Sequence, residues 1–184
     1  MYTVSLDITP LREFCLKTKE FLQNYKELSR VSEFHDVWVN SSVAIKIVMK
    51  KEEYEEEVKT QRLLSKKDIF PPIITTYETE YSAKTLISHG RFDDSDGEYI
   101  IVMPYTGKTI KALFYTPKDI DEMCVNSPLA ESVPMEIREK IDKLVHKTKK
   151  AGYYMDDFHA DNITIDDDGR VWLIDCGCVY PIKE

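Results

Sequence analysis

Four residues have the types and spacing to handle a phosphate tail and a hard cation. Asp157 and Asn162 lie on one stretch, DFHADN, and Asp175 follows the apolar run VWLI. Lys46 stands alone inside VAIKIV, flanked by Ile45 and Ile47. Phosphoryl transfer from a nucleotide asks little covalent chemistry of a protein. It needs a cation on the phosphates, ligands for magnesium, and a carboxylate that orients the acceptor hydroxyl. Magnesium takes oxygen ligands, so Asp and Asn are the right types. The spacing puts a base, Asp157, and a metal ligand, Asn162, on one loop. Asp175, at the end of an adjacent strand, supplies the second ligand set. Asp156 competes for the role of base, and the spacing to Asn162 favours Asp157. A carboxylate directly after four apolar residues needs a cation or donors to answer it. An acid on the helix after the Lys46 strand must hold that ammonium extended.

These residues need a sheet, a helix and a hairpin to carry them. Residues 28–50 are rich in Val and Ile and break at Asn40-Ser41-Ser42, which predicts two or three antiparallel strands with a tight turn. Residues 51–66 favour a helix, with Tyr54, Val58 and Leu64 as a thin apolar edge and Leu63 beside it. The acidic first half and basic second half suit the helix dipole. Pro71 and Pro72 exclude helix, and strands are expected over 73–80 and 81–88, then a polar turn over 91–98. Tyr99–Met103, YIIVM, reads as a strand buried on both faces. Pro104-Tyr105-Thr106-Gly107 breaks it and marks a boundary, with a short helix expected over 108–115 and irregular chain over 116–133. A long helix follows over 134–151, burying Ile137, Ile141, Leu144, Val145 and Thr148 and ending at Ala151-Gly152. Asn162–Ile165 and Arg170–Ile174 pair across the Gly-ended turn Asp166–Gly169. At the other end, Leu11, Phe14, Cys15, Phe21, Leu22 and Tyr25 predict an amphipathic helix over about 10–27.

The 184 residues suffice for one domain or two small lobes sharing an interface, and 42% hydrophobic residues suffice for a packed core. A net charge of -8 argues against nucleic acid as a dominant partner, the one basic patch being Lys143, Lys147, Lys149 and Lys150. The four cysteines, Cys15, Cys124, Cys176 and Cys178, make neither a disulfide framework nor a zinc spacing. They read as reduced thiols of a cytoplasmic protein. The first residues lack the pattern of a signal peptide, and no apolar run reaches bilayer length. A calcium loop with Gly169 at its sixth place would start at Thr164 between strands, which excludes an EF-hand.

Five blocks, in order, make residues 28–177 resemble the protein-kinase-like fold. VAIK at 43–46 is similar to the strand with the phosphate-binding lysine, and YEEEVKTQRLL at 54–64 to the regulatory helix. YIIVMPYTGKTI at 99–110 resembles the hinge, MDDFHADNIT at 155–164 the H-x-D-x-x-x-x-N block, and LIDCG the D-F-G block. DFHADNI is closer to aminoglycoside phosphotransferases, RIO-type and other small atypical kinases than to standard protein kinases. The resemblance implies an α+β, two-lobed kinase-like domain. It comprises an N-terminal extension (1–27), a small ATP-binding lobe (28–103), and a hinge with an abridged helical catalytic lobe (104–184). It also implies that Lys46 meets the α- and β-phosphates and pairs with Glu57, with Glu53 and Glu56 as rival acids. Met103 is then the gatekeeper-like residue, and the Pro104 carbonyl and Thr106 N–H meet the adenine edge. Asp157 orients the acceptor, and Asn162 and Asp175 bind Mg²⁺. The implied function is an ATP- and Mg²⁺-dependent phosphotransferase, a Ser/Thr protein kinase acting on or activated by a partner protein, with no membrane partner.

Departures from the pattern keep two alternatives open. No Gly precedes Gly90, so the glycine-rich phosphate cover is absent; Met155-Asp156 replaces His-Arg, and Cys176 replaces the Phe of D-F-G. The sequence stops where the activation segment would begin, which resembles truncated kinases of viruses and bacterial effectors; the expected location is cytoplasmic, and a host cytoplasm if the chain is of that kind. One alternative is a pseudokinase scaffold that occupies a partner. The other is a small-molecule kinase, for which His159 speaks.

Overall fold

The computed structural model describes residues 29–30, 36–48, 50–79, 98–116, 119 and 129–182. The helix expected over 10–27, the strand over 81–88 and nearly all of the turn over 91–98 lie outside the described residues, as does most of 116–133.

The first part is an antiparallel sheet carrying one helix. Strands β1 (Ser29–Arg30), β2 (Asp36–Val39), β3 (Val43–Val48), β4 (Thr75–Thr79) and β5 (Glu98–Pro104) lie in the order β1-β2-β3-β5-β4. The β2–β3 turn is closed by Asn40, whose Oδ1 accepts the N–H groups of Ser42 (2.8 Å) and Val43 (2.9 Å). Alternation then sorts the central strands. Val43, Ile45 and Ile47 pack with Ile100 and Val102 on one face. Val48, Ile101 and Met103 pack on the other face against helix α1 (Lys51–Ser65) through Tyr54 and Val58. Lys46 shares the register of Ala44 and Val48, so it belongs to the face that α1 covers.

Helix α1 buries Tyr54, Glu57, Val58, Gln61 and Leu64, spaced three or four apart, and leaves Leu63 exposed. The chain leaves it through a turn in which Asp68 takes a positive φ of 49° and Ile69 N–H returns to the Leu64 carbonyl. Ile69 and Phe70 are thereby delivered to a second core, built on helix α3 (Met135–Lys150). Ile141 and Leu144 are the buried side of α3; Ile137 and Val145 pack at its margin, and Gly152, at φ +87°, turns the chain away.

Against α3 lie β7 (Tyr153–Met155), β8 (Ile163–Ile165), β9 (Val171–Leu173) and β10 (Val179–Pro181). β8 and β9 form the expected hairpin, while the β7–β10 pairing carries no sequence signal. The helix expected over 108–115 is shorter: Lys108–Thr109 forms strand β6 on β8, and α2 covers only Ile110–Phe114. The cause is Gly107, at φ +84°, which brings the backbone against Ile165; a Cβ there would lie 1.9 Å from the Ile165 carbonyl oxygen. Among the described residues no helix is long and apolar enough to cross a membrane.

Candidate active site

Lys46 is the centre of the site. It is 8% exposed, and its ammonium donates to Glu57 Oε1 at 2.7 Å and to Asp175 Oδ1 at 2.6 Å. Glu57, 5% exposed, is the acid of its run that points inward; Glu53 and Glu56 are exposed on the outer face of α1. Burial by itself lowers the pKa of Lys46. The charge of Glu57, then that of Asp175, and the two hydrogen bonds outweigh it and hold the ammonium charged above its ordinary range.

Asp175 reaches the cluster from the end of the hairpin. It sits at φ 62°, a left-handed conformation that Asp tolerates better than most residues, and its Oδ1 also accepts Gly177 N–H at 3.4 Å. A side chain on Gly177 would fill the space over the cluster, 3.3 Å from Asp175 Oδ1 and 3.9 Å from Lys46 Nζ. The next residue, Cys176, is buried, and its thiol donates to the Glu57 carbonyl at 3.4 Å. Burial, then the Glu57 charge, push the thiol pKa well up, against the opposing pull of Lys46.

Asp157 and Asn162 meet on the loop before β8. The Asn162 amide nitrogen donates to the Asp157 carbonyl (3.1 Å) and to its Oδ2 (3.4 Å). Among the described residues the Asn162 side-chain oxygen carries no hydrogen bond. Ile174 N–H donates to the Asn162 carbonyl at 2.9 Å, extending the β8–β9 ladder so that Asn162 lies beside the residue that precedes Asp175. The Asp157 side chain is half exposed.

The chain between the sheet and α2 is strapped on both sides. Tyr105 N–H bonds the Ser42 carbonyl at 3.0 Å, and Thr106 Oγ1 lies 2.7 Å from Thr164 Oγ1 in a buried pair. Met103 is buried behind it. Pro104 pairs with Val43, three residues along β3 from Lys46, the partner of Ile101, so about 10 Å of strand separates the start of the linker from the Lys46 backbone.

Lys46, Glu57 and Asp175 are thus in direct contact; Asp157 and Asn162 form a neighbouring pair; Met103, Pro104 and Thr106 mark the linker. Gln61 is the residue that sequence reasoning missed. Its amide nitrogen donates to the Pro71 carbonyl (2.9 Å) and touches Met103 Sδ (3.6 Å), while its oxygen lies 3.8 Å from the Cys176 sulfur. The signal was there: Gln61 follows Glu57 by one helical turn and shares its face. Among the described residues no cluster of three His, Cys, Asp or Glu is poised to hold a metal. The oxygen pair Asn162 and Asp175 is the set chemically suited to a hard cation.

No family model and no curated protein matches this chain. Among solved structures it is similar to the co-crystal structure of WbdD and the kinase inhibitor LY294002, at 11% identity and a TM-score of 0.48. The likeness covers 86% of this chain and 33% of that one, so this chain spans about a third of its length.

Proposed function

We propose that this chain is a kinase-like phosphotransferase. It binds ATP with Mg²⁺ and transfers the terminal phosphoryl group to a hydroxyl, that of a serine or threonine on a partner protein. The observation that carries this reading is a buried ammonium held at 2.7 and 2.6 Å by two carboxylates, one of them 129 residues away in sequence. A stabilising ion pair needs one acid. Here two acids, one from the helix after Lys46 and one from the end of the hairpin, converge on one buried ammonium, a charge cluster of the kind that positions a nucleotide's phosphates and their divalent cation.

In this reading the residues take the roles that the kinase resemblance implies. Lys46 holds the phosphates, and Glu57 keeps its ammonium extended and charged. Asn162 and Asp175 would hold Mg²⁺, which when bound neutralises charge on the transferred group. Asp157 orients the acceptor hydroxyl. The hydroxyl oxygen bonds to the terminal phosphorus as the bond from that phosphorus to the departing ADP breaks, and Asp157 accepts the hydroxyl proton. The Pro104 carbonyl and Thr106 N–H meet the adenine edge, with Met103 behind them. In this reading residues 28–103 are the small lobe and 104–184 the catalytic one.

A partner-binding scaffold is the second reading. Tyr154, Tyr180 and Ile182 are large apolar side chains exposed on and beside the β7–β10 ribbon that leads to Asp157, a surface suited to a protein partner. Incubation with labelled ATP and Mg²⁺ separates the two. Autophosphorylation or ATP turnover that is lost in Asp157→Ala, in Lys46→Ala and on chelation supports the enzyme. Wild type no better than Asp157→Ala sinks it and favours the scaffold.

A further inference from the structure

We propose that His159 positions Asp157 and selects which of its carboxylate oxygens faces the acceptor; this rests on the phosphotransferase reading above. The ring nitrogens are both engaged. Nδ1 lies 3.2 Å from the Asp161 backbone nitrogen, whose N–H can only donate, so Nδ1 is the unprotonated acceptor. In a neutral ring the proton therefore sits on Nε2. Nε2 lies 3.1 Å from Asp157 Oδ2 and donates to it.

The Asn162 amide nitrogen is also 3.1 Å from Nε2, but its two hydrogens are already directed to the Asp157 carbonyl and to Oδ2. That contact is adjacency, and two N–H donors converge on one oxygen. Asp157 Oδ2 is thereby occupied, and Oδ1 is the oxygen presented to the acceptor hydroxyl.

The clamp has an anchor outside the loop. Asp161 Oδ2 takes Lys111 Nζ at 2.8 Å, and Lys111 stands on α2, directly after the linker from β5. The series Lys111, Asp161, His159, Asp157 joins the linker side of the site to the acceptor side through three contacts. Core filling does not explain His159. Its side chain is 39% exposed, while its neighbour Phe158 packs on the core.

Two readouts test this on the full chain. The first labels the histidine rings with ¹⁵N and reads the His159 tautomer by long-range proton–nitrogen correlation, assigned by its loss in His159→Gln. Protonated Nε2 with bare Nδ1 is expected, and the Nε2 signal moves in Asp157→Ala; the reverse tautomer overturns the clamp. The second is kinetic. His159→Ala lowers kcat roughly ten- to a hundredfold, the scale of a misplaced reacting group, while the KM for ATP stays within about twofold. His159→Gln, whose amide N–H reaches the same oxygen, recovers most of the rate. A Gln variant that folds yet is no faster than Ala, or an ATP KM that moves with kcat, overturns the positioning role. Absence of turnover in wild type would defeat the phosphotransferase reading, and this role with it. Turnover together with the reverse tautomer would defeat the clamp alone.

Discussion

Replacing Lys46 with Met tests the centre of the site through stability, without any need for a substrate. Met keeps the length and apolar stem of Lys and removes the charge. Glu57 and Asp175, whose side chains are 5% and 13% exposed, are then left facing each other without their cation. Removing one member of a buried ion pair costs about 3–5 kcal/mol, because the charge left behind is uncompensated. For a chain of this size that lowers Tm by roughly 6–20 °C. The loss depends on pH, and its sign is fixed. Where two buried carboxylates lose the ammonium between them, protonating one relieves their repulsion, so the folded variant takes up a proton that the unfolded chain does not and its stability falls as pH rises. The deficit against wild type therefore shrinks between pH 7.5 and pH 5.5. In wild type, Lys46 has a raised pKa; its contribution is complete below the ordinary lysine value and is lost only as pH climbs through the higher folded one. It is constant across that window and does not distort the comparison. Urea titrations followed by circular dichroism at both pH values give the two numbers. The triple variant Lys46→Met, Glu57→Gln, Asp175→Asn leaves no stranded charge and recovers most of the stability. A Lys46→Met deficit under about 1 kcal/mol at pH 7.5, or one that ignores pH, would refute the argument that this cluster is a desolvated charge system.

Three further outcomes follow from named contacts. Thr106→Val strands the buried Thr164 hydroxyl and costs about 1–3 kcal/mol in a denaturation series; Thr106→Val with Thr164→Val costs less than the sum of the single changes. Gly107→Ala forces a Cβ against the Ile165 carbonyl at an unfavourable φ, so thermal melts show a loss above about 2 kcal/mol, whereas Gly152→Ala, whose Cβ meets nothing, shows backbone strain alone, about 1 kcal/mol. The Cys176 thiol, buried and held protonated, resists iodoacetamide in the native protein and reacts on unfolding; peptide mass spectrometry reads both states, and rapid native alkylation at Cys176 contradicts its burial.

Much of this arrangement was legible in the sequence because the signals were local. The strand carrying Lys46, the bounds of α1 and α3, and the β8–β9 hairpin were each set by periodicity or by a turn residue within a few positions. Asp175 stood out for an energetic reason, a carboxylate directly after an apolar strand, and the structure gives it a cation. Among the acids of α1 the resemblance favours Glu57, with Glu53 and Glu56 as rivals; composition alone leaves the three alike, because burial depends on which helix face meets the sheet, and in the structure it is Glu57 that is buried against Lys46. The β7–β10 ribbon was illegible. Its three-residue strands are too short for a period, and their partners are some 25 residues apart. The 108–115 helix was overdrawn because helix propensity in KTIKALF ignores the pull of the β8 edge on Lys108 and Thr109.

The turn after α1 has a mechanical consequence. Leu173 N–H bonds the Ile69 carbonyl at 3.0 Å, Arg170 pairs with Asp68 at 2.9 Å, and Leu64 is fully buried in the α3 core. The C-terminal end of α1 is therefore fastened to the hairpin that carries Asp175, while its first turns rest on the sheet that carries Lys46. Glu57 lies seven residues from Leu64, a lever arm of about 10 Å at the helical rise. A tilt of about 10° about the fastened end displaces Glu57 by about 2 Å, more than a 2.7 Å contact can absorb. Anything that presses on the first turns of α1 therefore has mechanical advantage over the charge cluster, and anything that presses on its last turn has almost none.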